Sequence, residues 1–272
     1  METQTKYSVS GGYPWQVLSG TGIKIAGIIL MAMDHVHQMF IAQGAPYWLN
    51  WFGRPVAAMF LFLCAEGFYY TRSKRRYMLQ LLGGFLFMAA MNRVLSVIMP
   101  MEHIALINNI FGTLFIATYY MWIIDCLCEG FREKRPAKVF SAVGGFLLPF
   151  VVGLAMLLVL QNNMYRVALL LFFIPSPLFV EGGLVLVFLG VAFYLLRKYR
   201  LAQAGLVLVV GALTWYFSRD TPGDFQWLMV FAVIPLLLYN GQRGRGGKYF
   251  FYVFYPAHIY LLYCAAWFLR GS

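Results

Sequence analysis

With 272 residues, 61% of them apolar or aromatic and 11% charged, the chain lies far from a soluble domain, in which about a quarter of residues are charged. That length accommodates about ten segments of the roughly 20 residues needed to cross a bilayer, so one membrane domain over residues 1–272 with no extramembranous module is expected. The net charge of +11 excludes little by itself: nucleic acid binding needs a basic stripe on a soluble fold, whereas the short cytoplasmic loops of a membrane protein collect Lys and Arg as a rule.

The first 20 residues lack the basic start, apolar centre and small-residue cleavage site of a signal peptide, which leaves targeting to the first apolar run. Such runs fall at 21–41, 55–71, 77–99, 104–128, 139–160, 164–173, 182–196, 201–217, 225–239 and 249–269. They predict an all-α, polytopic bundle of about 9–10 helices in the lipid bilayer. Cys64, Cys126, Cys128 and Cys264 lie in apolar stretches without metal-site or disulfide spacing, so they read as buried apolar residues and no metal is expected.

The first run carries Asp34 and His35 in its interior. A carboxylate there costs about 2.5–3.5 kcal/mol on insertion scales, so it normally faces the bundle interior with a partner and a task. Neighbours on a helix diverge by about 100°, which turns Asp34 away from His35 and toward Gln38, His37 or another helix. The second run opens at Gly53-Arg54 and contains Glu66, six residues before Arg72 and so about 9 Å inside that rim. Arg54 can snorkel to the outer surface, whereas Glu66 is too short to escape and suits a proton acceptor.

The segment 72–76 is the first of four basic loops, the others being 131–138, 197–200 and 241–248. Asn109 opens the fourth run, where an amide commonly caps a helix. The run 164–180 is short, broken by Pro175 and Pro177, and followed by Glu181, whose ordinary role is to stabilise a helix start. If all four basic loops are cytoplasmic, one run fails to cross, and a broken or re-entrant segment over 164–181 is expected, leaving nine full crossings. The N-terminus then lies inside.

The last run carries Tyr255 and His258. Lys24 and Lys248 mark the cytoplasmic border, and His35 and His258 lie 11 and 10 residues beyond them, about 15–17 Å at 1.5 Å per residue. Two imidazoles at matched depth suit proton exchange near neutral pH.

Asp34-His35 after an apolar run, Gly53-Arg54, Asn109-Ile110-Phe111, Gly182-Gly183, and Phe254-Tyr255 followed by His258 occur in the order seen in the TraX family, and the chain resembles that family over nearly its whole length. It departs from the family pattern after Arg54, where Pro55 follows at once and Ala58 takes the later proline position. The resemblance implies a membrane-embedded transferase of a bacterial inner membrane that moves an acetyl group from cytoplasmic acetyl-CoA to an acceptor peptide or glycan, akin to the membrane sugar O-acyltransferases. On that expectation donor phosphates meet Arg72, Lys74, Arg75 and Arg76, and His35 acts as general base or accepts the acetyl group. Asp34 or Glu66 tunes it, His258 or Tyr255 donates to the developing oxyanion or thiolate, and the acceptor approaches past Arg54 and Asn109. A proton-coupled transporter also places Asp, His and Glu at mid-depth and is the competing reading.

Overall fold

A computed structural model describes residues 14–102, 104–162, 173–221 and 223–269. Among them the α-helices are α1 (Gly20–Phe40), α2 (Val56–Tyr70), α3 (Lys74–Ile98), α4 (Ile110–Arg132), α5 (Pro136–Gln161), α6 (Gly183–Leu195), α7 (Arg200–Ser218), α8 (Val233–Leu238) and α9 (Lys248–Leu269). Short 3-10 helices run through Ile41–Gln43, Tyr47–Gly53 and Gln226–Ala232. The chain is a polytopic all-α membrane protein, with apolar side chains such as Leu147, Leu154, Leu208 and Leu261 half or more exposed on helix exteriors.

Helix starts follow local chemistry. The Ser19 hydroxyl accepts from the Gly22 N–H at α1, the Ser73 hydroxyl accepts from the Arg76 N–H at α3, and Pro136 opens α5 where its missing N–H costs nothing. The second span starts as the 3-10 helix Tyr47–Gly53 and becomes α-helical only after Pro55. Lys74, Arg75 and Arg76 therefore sit in the first turn of α3 rather than in a loop.

The described residues form nine α-helices, in keeping with the expected bundle, and seven helical spans are long and apolar enough to cross by themselves. Helix α6 has 13 residues, and so does the apolar helix Gln226–Leu238, which makes each about 20 Å long against a hydrocarbon core of about 30 Å. Pro175, Pro177 and the left-handed Gly182 and Gly183 delay α6, and the 3-10 helix shortens the other. Residues 173–182 are turns and bends, as the prolines require, and the earlier half of the expected broken segment lies outside the described residues.

The chain divides into two compact units, residues 1–63 with 196–272, and 64–195. In the first, α1 packs against Tyr47–Gly53 and α9, and α7 against Gln226–Ala232 and α8. One end of this unit is basic. There Leu18 bridges to Tyr239, the Gly20 and Thr21 N–H groups donate to the Gln242 and Arg243 carbonyls, and Arg200 lies over the Phe62 and Tyr239 rings. The opposite end is aromatic: Tyr47 meets Phe225 and donates to the Gly223 carbonyl, and Trp51 also meets Phe225. In the second unit α3, α5 and α6 all pack on α4, around Ile116, Tyr120, Val180, Val187 and Val191.

Candidate functional site

Helices α1 and α9 both begin at the basic end of the first unit, and two contacts show that they run side by side in parallel. Lys24 Nζ lies 5.3 Å from the centroid of the Phe251 ring, and eleven residues further along α1 the His35 Nδ1 is 2.7 Å from His258 Nε2. Both histidines are buried, 4% and 8% exposed. The matched depths inferred from sequence thus correspond to a direct hydrogen bond.

The bonding pattern orders the protons. His258 Nδ1 lies 2.8 Å from the Phe254 carbonyl, which can only accept, so His258 Nδ1 carries the hydrogen. With both rings neutral, His258 Nε2 is then an acceptor, His35 Nδ1 donates to it, and the lone pair of the couple resides on His35 Nε2. A proton taken up at His35 Nε2 can be answered by passage of the Nδ1 proton to His258, whose cation is backed by the Phe254 carbonyl. The Phe254 ring lies against His258 with centroids 4.8 Å apart and planes at 14°. Tyr255, 6% exposed, approaches His258 edge-on at 6.0 Å.

Asp34 turns away from His35, as the helix period demands. Its carboxylate accepts from Gln38 at 2.8 Å and pairs with Arg54 at 3.5 Å. Arg54 also donates to the Asn50 carbonyl at 3.2 Å, to the Asn50 side-chain oxygen, and to Gln226 at 3.1 Å. Arg54 therefore does not snorkel away: it ties α1, the Tyr47–Gly53 turn and the Gln226–Ala232 turn together at the non-basic side of the histidines. Gly53 is what allows this, because a methyl at its Cα would overlap the Asp34 carboxylate. Gly53 and Phe254 entered the sequence reading only as parts of motifs, without a role, and Asn50 and Gln226 were not singled out at all; of these two, only Asn50, four residues before Arg54, carried a spacing signal.

The remaining expected site residues belong to the second unit. Glu66 is half-buried on α2. Arg72, Arg75 and Arg76 are exposed, whereas Lys74 is committed to an ion pair with Asp125, which also accepts from the Tyr194 hydroxyl at 2.8 Å. Asn109 does not cap α4 with its side chain. Its Nδ2 donates to the Phe85 carbonyl at 3.0 Å, and its backbone N–H donates to the Glu181 carboxylate at 2.8 Å. Glu181 thus stabilises the start of α4 rather than of the helix that follows it, and its carbonyl accepts from the Thr113 hydroxyl. Among the cysteines, Cys64 is buried but Cys128 is exposed on α4.

Set beside known proteins, residues 19–266 match the family described as TraX protein. The chain is similar to the probable fimbrial assembly protein FimC, serogroup H1, of Dichelobacter nodosus, with 25% identity over 282 residues that cover 91% of this chain and 96% of that protein. No solved structure matches.

Proposed function

This chain belongs to the TraX family, and on that premise we propose that it is a membrane-embedded acyltransferase. It moves an acetyl group from cytoplasmic acetyl-CoA to an amine or hydroxyl of a peptide or glycan acceptor, in keeping with a relative named for fimbrial assembly. The observation that carries the reading is the buried His35–His258 hydrogen bond, ordered by the Phe254 carbonyl so that one imidazole nitrogen is basic.

The acceptor N–H or O–H gives its proton to His35 Nε2 as its nucleophilic atom attacks the thioester carbon, and the His35 Nδ1 proton shifts to His258. Tyr255 donates to the developing oxyanion. On collapse the C–S bond breaks, the acyl group stays on the acceptor, and the proton returns through the couple to the departing thiolate, which leaves as the free thiol. Asp34 acts through Arg54, holding the guanidinium where an acceptor arrives from the outer side. The donor arrives from the cytoplasm, the side on which the N-terminus lies in a bacterial inner membrane.

The test uses the purified full chain in neutral detergent with acetyl-labelled CoA. Thioester loss, by transfer or slow hydrolysis, is expected in the native protein and abolished in His35→Ala. Proton-coupled solute flux in vesicles with no thioester consumed refutes the transferase and establishes the transporter instead.

A further inference from the structure

We infer that the glycine-rich basic loop between α8 and α9, residues 240–247, is a phosphate-binding element that holds the phosphorylated nucleotide end of the acyl donor at the head of the α1–α9 pair. This rests on the acyltransferase reading and adds where the donor's charge is held.

The loop reads Asn240-Gly241-Gln242-Arg243-Gly244-Arg245-Gly246-Gly247. Its backbone is fastened to the start of α1: the Gln242 and Arg243 carbonyls accept from the Gly20 and Thr21 N–H groups at 2.8 and 3.0 Å, and the Thr21 hydroxyl bonds to the Arg243 and Arg245 carbonyls at 3.0 and 2.6 Å. Gly244 sits between the two arginines with φ of +77°, and a Cβ there would come within 2.5 Å of the Ser19 hydroxyl oxygen. Only glycine permits that approach.

The fold therefore uses carbonyls from this loop and leaves the side chains at 243 and 245 undetermined. Any residue supplies a carbonyl, yet both positions are arginine and both are exposed. A loop held in one conformation loses little freedom when a ligand arrives, and two guanidinium groups flanking a glycine match the oxygen geometry of phosphate. The placement is equally specific. This loop fastens the start of α1 and opens α9, the two helices that bear His35 and His258, and Lys24 stands one turn in from it against Phe251. From Lys24 to His35 the axis covers about 16 Å, a distance that suits an extended pantetheine arm between its phosphates and its thioester. Anionic lipid headgroups offer the same phosphate chemistry, but attraction to a membrane surface follows the number of cations and needs no fixed loop.

Arg243→Ala/Arg245→Ala keeps every carbonyl named above. Two measurements on the full chain in neutral detergent decide the matter: calorimetric binding of adenosine 3′,5′-bisphosphate, and steady-state kinetics with acetyl-CoA beside acetyl-pantetheine, which lacks the nucleotide. Loss of about tenfold in affinity per arginine is expected, with a matching rise in KM for acetyl-CoA, kcat within about twofold, and acetyl-pantetheine turnover unchanged. Arg243→Lys/Arg245→Lys should recover part of the loss. Unchanged nucleotide affinity in the alanine variant, while the native chain still turns over acetyl-CoA, overturns the loop assignment alone. So does a defect that emerges only when phosphatidylglycerol is added. A native chain that binds the nucleotide but consumes no thioester leaves the loop standing and removes the transferase.

Discussion

The two compact units treat charge in opposite ways. In the second, ion pairs use lysines at helix starts: Lys74 in the first turn of α3 with Asp125 in the C-terminal third of α4, and Lys138 in the first turn of α5 with Glu129 near the end of α4. The interior of this unit holds an aromatic cluster of Tyr120, Phe146, Phe150 and Phe188. In the first unit Asp34, His35 and His258 lie well inside helices, bonded to partners brought by other segments. A charge at mid-depth costs several times what it costs at a helix end, so a chain that retains it there uses it. On the proposed function, the second unit packs and the first handles protons.

The sharpest way to break that contrast is at the couple itself. His258→Ala removes the group that receives the His35 Nδ1 proton, and a drop of about 10²–10⁴ in acetyl transfer is expected, the usual worth of a positioned acid–base partner. The unfolding midpoint in detergent should move far less. Loss of folding without prior loss of activity would put His258 with the packing residues.

Next in size is the Asp34–Arg54 pair. Arg54→Gln strands a carboxylate whose side chain is 10% exposed, and the destabilisation should be about 3 kcal/mol, the lower end for a broken buried pair because the guanidinium is 26% exposed. Asp34→Asn/Arg54→Gln should be more stable than Arg54→Gln alone. Denaturation in graded SDS measures both, and strict additivity would mean that the two groups do not sense one another.

Much of this was legible before any coordinates. Span limits such as 21–41 against Gly20–Phe40 and 201–217 against Arg200–Ser218 agree because hydrocarbon selects apolar length directly. The histidine couple was legible because parallel helices starting at one basic border convert equal residue counts into equal depth. What escaped were pairings between segments far apart in sequence, such as Arg54 with Gln226, and the reason for Gly53. A glycine's missing side chain acquires meaning only once the Asp34 carboxylate is known to lie on it. The shortness of two apolar helices escaped for a related reason: hydropathy registers an apolar run whether it coils as a full α-helix or partly as a 3-10 helix.

Gly53→Ala gives a middle-sized effect of about 1–3 kcal/mol, as an added methyl forces Asp34 off the turn. Activity should fall with it, since Arg54 is held through Asp34. Ala58→Gly on the same span lacks that contact and tests whether backbone loosening alone matters.

The smallest effect belongs to the second unit. Lys74 and Asp125 are each about one-third exposed, at 34% and 33%, so water screens their attraction even though the contact is close. Pairs of this kind contribute about 0–1 kcal/mol. Lys74→Met/Asp125→Asn removes both charges and leaves the buried Tyr194 hydroxyl an amide oxygen to donate to. Stability should shift by less than about 1 kcal/mol, and KM for acetyl-CoA should stay as it is, because an ammonium already held by a carboxylate has little left to offer a phosphate. A KM rise in this double variant as large as in Arg243→Ala/Arg245→Ala would put Lys74 in the donor site and erase the division of labour between the two units.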